Sequence, residues 1–323
     1  MSDIITALSG HFGLAGTRAV KERGYFLCET RAGTVKISKT FERHQAIHLR
    51  HQLLEYLDTA GFPWTDKIAL STHGIPFVQF GRETYVMSQH MAGRDMNLDC
   101  QEDVVLALES LAYFHIAARG FGSSADQKID TAPPITEIFD KNHAFLTRTA
   151  KQMGKISRLS DFDIMFIKSA TQYISYAQKS AELLAQTGYP ALYAAALEQH
   201  HICHNALKEE NLSISGDRCY ITNFSHAAID AQITDLASFL RRYARRSNRE
   251  IPLDKLVEVY GRICPLPSSA TEIIHAVLVH PWQFVKIVRQ YHNKKRGWTP
   301  VAIMSRMQSL LEEQENYDAY IRA

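Results

Sequence analysis

The residues able to do chemistry concentrate in one stretch, His204-Asn205-Ala206-Leu207-Lys208-Glu209-Glu210-Asn211-Leu212, followed by Asn223-Phe224-Ser225 and Asp235-Leu236-Ala237. The amide oxygens of Asn211 and Asn223 can ligate a hard cation such as Mg²⁺, but they bring it no negative charge. Glu209 and Glu210 are the nearest carboxylates in sequence. Just upstream, His200, His201, Cys203 and His204 crowd together and offer metal-ligand atoms. Structural zinc sites usually set ligand pairs apart by a fold-defining loop, so we expect no metal from this run. Cys203 reads instead as a buried strand position. Lys36, in Thr34-Val35-Lys36-Ile37, lies on a strand pattern, where a lysine either snorkels to solvent or meets an anion such as phosphate. Asp235 opens a helical pattern, where a carboxylate can cap main-chain N–H groups. Arg241, Arg242, Arg245, Arg246 and Arg249 recur at helical spacing and read as a solvated face or as a dock for an anion or partner. Lys294-Lys295-Arg296 would extend that patch.

The elements that must position these groups fall into two regions. Residues 24–30 and 34–38 form strand-like runs around Arg31-Ala32-Gly33. Between Phe41 and Ala60, Ile47, Leu49, Leu53, Leu54 and Leu57 make a helical face that Gly61 and Pro63 end. Strands are predicted at 67–72, 75–80 and 84–91, turning at His73-Gly74 and Gly81-Arg82. The result is a five-strand antiparallel lobe with one helix. Beyond Gly93-Arg94-Asp95 helices dominate: around 104–115, 162–187, 235–246, 271–279, 282–292 and 301–320. Tyr173, Tyr176, Tyr189 and Tyr193 pack those helices. A short hairpin, 212–214 with 218–222, interrupts the helical region. The expected organisation is α+β, with an N-terminal lobe over 1–91 and a helical lobe over 92–323.

Composition narrows the class. The chain has 323 residues, 46% of them hydrophobic and 22% charged, which is ordinary for a packed globular protein. Lys and Arg number 36 against 34 Asp and Glu, so bulk charge does not argue for nucleic acid, and no base-stacking motif does either. No apolar run approaches the roughly 20 residues of a membrane-spanning helix. The start, Met1-Ser2-Asp3-Ile4, lacks a secretory pattern. Five scattered cysteines do not suggest a disulfide framework. A soluble, intracellular, reduced protein is expected.

The stretch from His204 to Asn211, with Asn223-Phe224-Ser225 and Asp235-Leu236-Ala237, resembles the catalytic segment of aminoglycoside phosphotransferases and related small-molecule kinases. There the pattern is His-x-Asp-x-x-x-x-Asn, a hairpin, Asp-Phe-Asp or Asp-Phe-Gly, then Asp-Leu-Ala. One Asp accepts the substrate hydroxyl proton, while the Asn and the second Asp hold metal against the phosphates. Lys36, Gly61-Phe62-Pro63, Tyr85-Val86-Met87 entering a hinge at Ser88, Gln89 and His90, Gly93-Arg94, and Leu111-Ala112-Tyr113-Phe114-His115 follow the same order. Downstream, residues 235–242, His280-Pro281-Trp282-Gln283-Phe284, Tyr291-His292-Asn293-Lys294-Lys295 and Trp298 resemble the spore-coat CotS-type kinase-like family most. The resemblance spans about residues 20–320. It implies a bilobal kinase-like fold, a sporulation setting with other coat proteins as partners, and a mother-cell cytoplasmic location with coat deposition.

The chain departs from that pattern where it matters. Ala206 stands in place of the catalytic Asp and Asn223 in place of the metal-binding Asp, while His204 and Asn211 match. A methyl group accepts no proton, and loss of general-base help costs about 10²–10⁴ in rate. Glu209 and Glu210, three or four residues displaced, should point elsewhere. The helix before Gly61 offers His48, Arg50 and His51 where a Glu should pair with Lys36, and neither Glu42 nor Glu55 is well placed. Gly13, Gly16 and Gly24 have no diagnostic phosphate-loop spacing. The resemblance therefore implies a catalytically degenerate scaffold. Weak retention of ATP and Mg²⁺ by Lys36, Ser88, Gln89, His90, Asn211 and Asn223 is one alternative, and residual phosphotransfer to a small-molecule or protein hydroxyl is another.

Overall fold

The computed structural model describes residues 2–14, 19–22, 24–31, 33–91, 93–122, 129–246, 253–292 and 300–322. In chain order the elements are α1 (Ser2–His11), β1 (Ala19–Lys21), β2 (Tyr25–Thr30), β3 (Gly33–Thr40), α2 (His44–Thr59), β4 (Val78–Phe80), β5 (Glu83–Gln89), β6 (Arg94–Asp95) and α3 (Gln101–Ala117). There follow α4 (Ile135–Met153), α5 (Asp161–Ala185), α6 (Tyr189–Glu198), β7 (Ile202–Cys203), β8 (Leu212–Ser215), β9 (Arg218–Ile221) and β10 (Ala228–Ile229). The chain closes with α7 (Ile233–Arg246), α8 (Leu253–Gly261), α9 (Ala270–Val279), α10 (Trp282–His292) and α11 (Pro300–Arg322). Two compact units result: Met1–Thr131 with Ala196–Asp235 and Asp254–Pro265, and Ala132–Ala195 with Leu236–Leu253 and Leu266–Ala323. Gly16, Arg249, Asn293, Lys294, Lys295, Arg296 and Trp298 lie outside the described residues. No helix among the described residues is long and apolar enough to cross a membrane. All five cysteines are free thiols.

The first unit carries a five-stranded antiparallel sheet of order β1-β2-β3-β5-β4. One face of the sheet buries Cys28, Ile37, Val78, Tyr85 and Met87 with Leu8 and Phe12 from the first helical segment. Side chains alternate across a strand, so Lys36 faces away from Ile37. The register sets Lys36 opposite Ser88 on β5. The count of five agrees with the sequence reading, but one member differs. Residues 67–72, expected as a strand, form a single bridge at Ile68 to Ser88, flanked by Ala69 N–H to Met87 O and Gln89 N–H to Lys67 O. On either side the backbone is drawn to other partners: Thr65 bridges Ile221, and the Thr72 N–H donates to His11 O. The fifth place goes to β1, which sequence reasoning passed over.

Gly61 stops α2 with φ at +87°, a conformation that lets the Phe62 N–H reach back to Leu57 O. Gly93 has a different task. A Cβ there would lie 2.5 Å from Ser213 Oγ and 2.7 Å from Ile214 O, so only glycine lets β6 approach β8. Arg94 then forks onto the buried Asp103 carboxylate at the start of α3, which also accepts the Asn97 N–H at 2.9 Å.

The second unit is helical. Leu146, Met153, Phe162, Phe166, Tyr173, Phe284, Val288, Ile303 and Met307 form its core. Burying each large side chain stabilises the unit by roughly 1.5–3 kcal/mol before cavity effects. Ser160 and Asp163 make a reciprocal capping box that starts α5. Tyr173 stacks on Phe284 with ring centroids 3.9 Å apart.

His280 lies buried in this unit, its ring stacked on Phe139 at 3.9 Å. Its tautomer follows from its neighbours. The Arg289 guanidinium donates to Asn142 Oδ1 at 2.8 Å, so Asn142 Nδ2 must donate to His280 Nε2 at 2.9 Å. The proton therefore sits on Nδ1, facing Ser180 Oγ at 2.8 Å. Burial, with the Arg241 charge behind it, pushes the His280 pKa down from 6.5 to about 3. A depressed pKa means that the unfolded chain binds the proton first. The stability is thus present above pH 6.5 and is lost as the pH falls toward 3. We expect this group to contribute a slope approaching ~1.4 kcal/mol per pH unit in that window. Urea unfolding of wild type and His280→Gln between pH 7 and 4 should give a shallower slope for the variant, and parallel slopes would contradict the assignment.

Candidate functional site

The candidate site lies within the first unit, where β7 leads into the loop from His204 to Asn211. The buried Asp235 carboxylate organises this loop by accepting the His204 N–H at 2.6 Å and the Asn205 N–H at 2.9 Å. On its other side Asp235 meets His115 Nε2 at 3.3 Å, and His115 Nδ1 meets the Tyr260 hydroxyl at 2.7 Å. Burial pushes the Asp235 carboxyl up, yet the His115 and His204 hydrogen bonds and charges outweigh it and hold it below the ordinary value. Burial pushes the His115 pKa down, against the pull of the Asp235 carboxylate. Cys203 Sγ shares this buried corner with His115 and Asp235, all within 4.8 Å, but both His115 nitrogens are already engaged. The His204 ring completes the loop, with Nε2–H donating to Thr222 O at 2.9 Å and Nδ1 facing the Ala206 N–H at 3.3 Å. Asn205 and Asn223 both adopt left-handed backbone, with φ of 58° and 64°, which asparagine tolerates better than most side chains.

From Ala206 a chain of hydrogen bonds runs with forced directions. The Ala206 carbonyl can only accept, so Asn211 turns its Nδ2 toward it, at 2.7 Å. That leaves Asn211 Oδ1 facing Asn223, which must present Nδ2, at 3.2 Å. Asn223 Oδ1 then accepts from Ser225 Oγ at 2.9 Å. The Asn223 main-chain N–H donates to Asp66 Oδ1 at 3.1 Å. Asp66 comes from the irregular segment after α2, which sequence reasoning did not single out. Its burial pushes its carboxyl up to about 6, against the pull of Arg50, the Asn223 N–H and Lys36. Its only sequence signal was a charged residue two places before an apolar one in Asp66-Lys67-Ile68. A divalent cation needs oxygens aimed at one point. Here Asn211 Oδ1 and Asn223 Oδ1 each already hold a donor proton, so the amides as arranged do not fit a magnesium site.

Lys36 sits half-buried with Nζ 4.8 Å above the Tyr25 ring. Glu42 is engaged elsewhere, accepting from Arg50 Nη2 at 2.8 Å and from Thr40 Oγ1 at 2.9 Å. His51 Nδ1 lies 3.1 Å from Ile68 O, and His48 packs edge-on to Phe77. At the expected hinge, Ser88 is buried, the Gln89 N–H donates to Lys67 O and the His90 N–H donates to Thr34 O. Two hinge donors are thereby committed to the protein itself.

The other singled-out residues disperse. Glu210 is exposed and pairs with Lys208 at 3.4 Å, while Glu209 begins a short 3₁₀ turn. His200 Nδ1 lies 3.2 Å from Phe121 O, and Cys203 Sγ lies 3.5 Å from Asp230 O. In the second unit, Arg241 is half-buried with its guanidinium 5.4 Å from the Trp282 ring centroid, whereas Arg245 and Arg246 are exposed. The arginines of α7 therefore do not present one uniform face.

A five-stranded antiparallel sheet with its helix, a loop closing on a buried aspartate and a following hairpin, and a helical remainder define a protein kinase-like fold of the aminoglycoside phosphotransferase class. The chain belongs to the spore-coat YutH family: the family model described as "Spore coat putative kinase YutH" matches residues 5–323. That match names YutH where the sequence resemblance suggests the CotS type; both are spore-coat kinase-like. Among solved structures, an aminoglycoside phosphotransferase from Alicyclobacillus acidocaldarius is similar with TM-score 0.84 and 19% identity, over 98% of this chain and 93% of that one. A spectinomycin phosphotransferase in complex with ADP and spectinomycin gives TM-score 0.65 and 12% identity, over 98% and 93%. An amicoumacin kinase in complex with AMP-PNP, Ca²⁺ and Ami gives 0.63 and 10%, over 98% and 93%. No curated protein matches the chain.

Proposed function

We propose that this chain is a catalytically degenerate kinase-like component of the spore coat that works by binding. The observation that carries the reading is Ala206. The loop around it keeps its hydrogen bonds to Asp235, Thr222 and Asn211, yet at the position matching the general base it presents only a methyl group. A well-ordered loop without a proton acceptor supports selection for shape. A nucleoside phosphate is the ligand we assign to the site, with Lys36 as its cation, Asn211 and Asn223 beside it, and Ser88, Gln89 and His90 offering the base carbonyl acceptors. We take the functional lobes as 1–91 and 92–323. We assign synthesis to the mother-cell cytoplasm with deposition on the coat, where other coat proteins are its partners.

Purified protein with Mg²⁺-ATP and sugar, amino-alcohol or protein hydroxyl acceptors should turn over below about 0.1 s⁻¹, a tenth of the lower kinase limit. ATP should nonetheless raise the melting temperature by mass action, and Lys36→Ala should remove most of that rise. Turnover above that limit would overturn the degenerate reading, and an unchanged melting temperature at millimolar ATP would remove the nucleotide.

A further inference from the structure

We propose that the Asn223 carboxamide stands in for the divalent cation of the kinase fold, making this a site that takes a phosphate-bearing ligand without metal. The nucleotide part of this inference rests on the function proposed above; the cation part does not.

The argument starts from the directions forced by Ala206 O. Because Asn211 must give its Nδ2 to that carbonyl, its oxygen faces residue 223. An aspartate at 223 would set oxygen against oxygen there, an arrangement that a cation between them would relieve. Asparagine sets an N–H₂ group there instead, so the oxygen that a cation would collect is already satisfied at 3.2 Å. The second oxygen is satisfied as well, since Ser225 Oγ donates to Asn223 Oδ1. A cation entering this pair would have to break both bonds and turn the amide over, and residue 223 would offer it no charge in return. Asp66 does not restore the balance. Its carboxylate accepts the Asn223 main-chain N–H and lies in the field of Arg50 and Lys36. Lys36, with no Glu partner from α2 among the described residues, is left to meet an anionic ligand directly.

The test uses the full chain and Mn²⁺ as the metal probe, followed by electron paramagnetic resonance. Wild type should bind Mn²⁺ no tighter than about 1 mM, and Asn223→Asp should bind it at least about tenfold tighter, because ligand charge tunes such sites over decades. Asp tolerates the left-handed backbone at this position. Asn211→Asp leaves the Asn223 Nδ2 in place against its own oxygen and should gain no more than about threefold in Mn²⁺, which separates the turned amide from added charge alone. Calorimetric ADP affinity of wild type should agree within about threefold between Mg²⁺ and EDTA, whereas Asn223→Asp should lose at least about tenfold in EDTA. Tight Mn²⁺ binding by wild type, no gain in Asn223→Asp, or an equal gain in Asn211→Asp would overturn the proposal. ADP binding in neither buffer would remove the nucleotide reading, and the Mn²⁺ comparison would then decide the cation assignment alone.

Discussion

Asp235→Ala should destabilise the first unit by about 3–5 kcal/mol, the range for removing one partner from a buried charged network. The substitution leaves three donors without an acceptor: the His204 N–H, the Asn205 N–H and the His115 Nε2–H. Each unsatisfied buried group costs about 1–3 kcal/mol, though not additively. Against a total stability of roughly 5–15 kcal/mol, the loss is large enough to bring the unit near its unfolding threshold. Asp235→Asn should fall between, since one amide oxygen accepts while its NH₂ opposes a main-chain N–H. Urea titrations of the three proteins at pH 7 check the order. A change below 1 kcal/mol for the alanine variant would show that the loop holds itself without this carboxylate.

Restoring both acids should have the opposite kind of effect. Ala206→Asp with Asn223→Asp should raise ATP turnover at least about a hundredfold over wild type, the lower end of what general-base catalysis supplies. Neither single change should reach that gain, because a base without a held metal and a metal without a base each leave the transition state half-served. Steady-state assays with Mg²⁺-ATP on the two single variants and the double variant separate the cases. Flat activity in the double variant would mean that the departures elsewhere, such as Arg50 on the helix that should carry a glutamate, also disable the site.

Much of this was legible before any coordinates. Strands β2, β3 and β5, helix α2 and the β8–β9 hairpin follow from alternation, periodicity and turn residues. Helix α4 was not, because its buried face includes Asn142 and Thr149 among Ile135, Phe139, Leu146 and Met153, which blurs the apolar repeat. Helix α1 and strand β1 escaped because residues 1–23 have too short a repeat to separate helix from coil. Residues 67–72 carry a strand composition, yet their neighbours divide their hydrogen bonds between Ile221 and His11, a competition that local pattern cannot register. The loss of acids at 206 and 223 was visible in the sequence. The direction of the Asn211–Asn223 bond was not, since it depends on a main-chain carbonyl brought near only by folding. Asp66 was hidden for the same reason.

The Gln89 and His90 amides are already bonded, to Lys67 O and Thr34 O. A ring nitrogen seeking a donor on these amides would compete with existing intramolecular bonds. Chemical probes for the proposed nucleotide site should instead be heterocycles rich in N–H, aimed at carbonyl oxygens, and such compounds would discriminate against kinases whose corresponding amides are free.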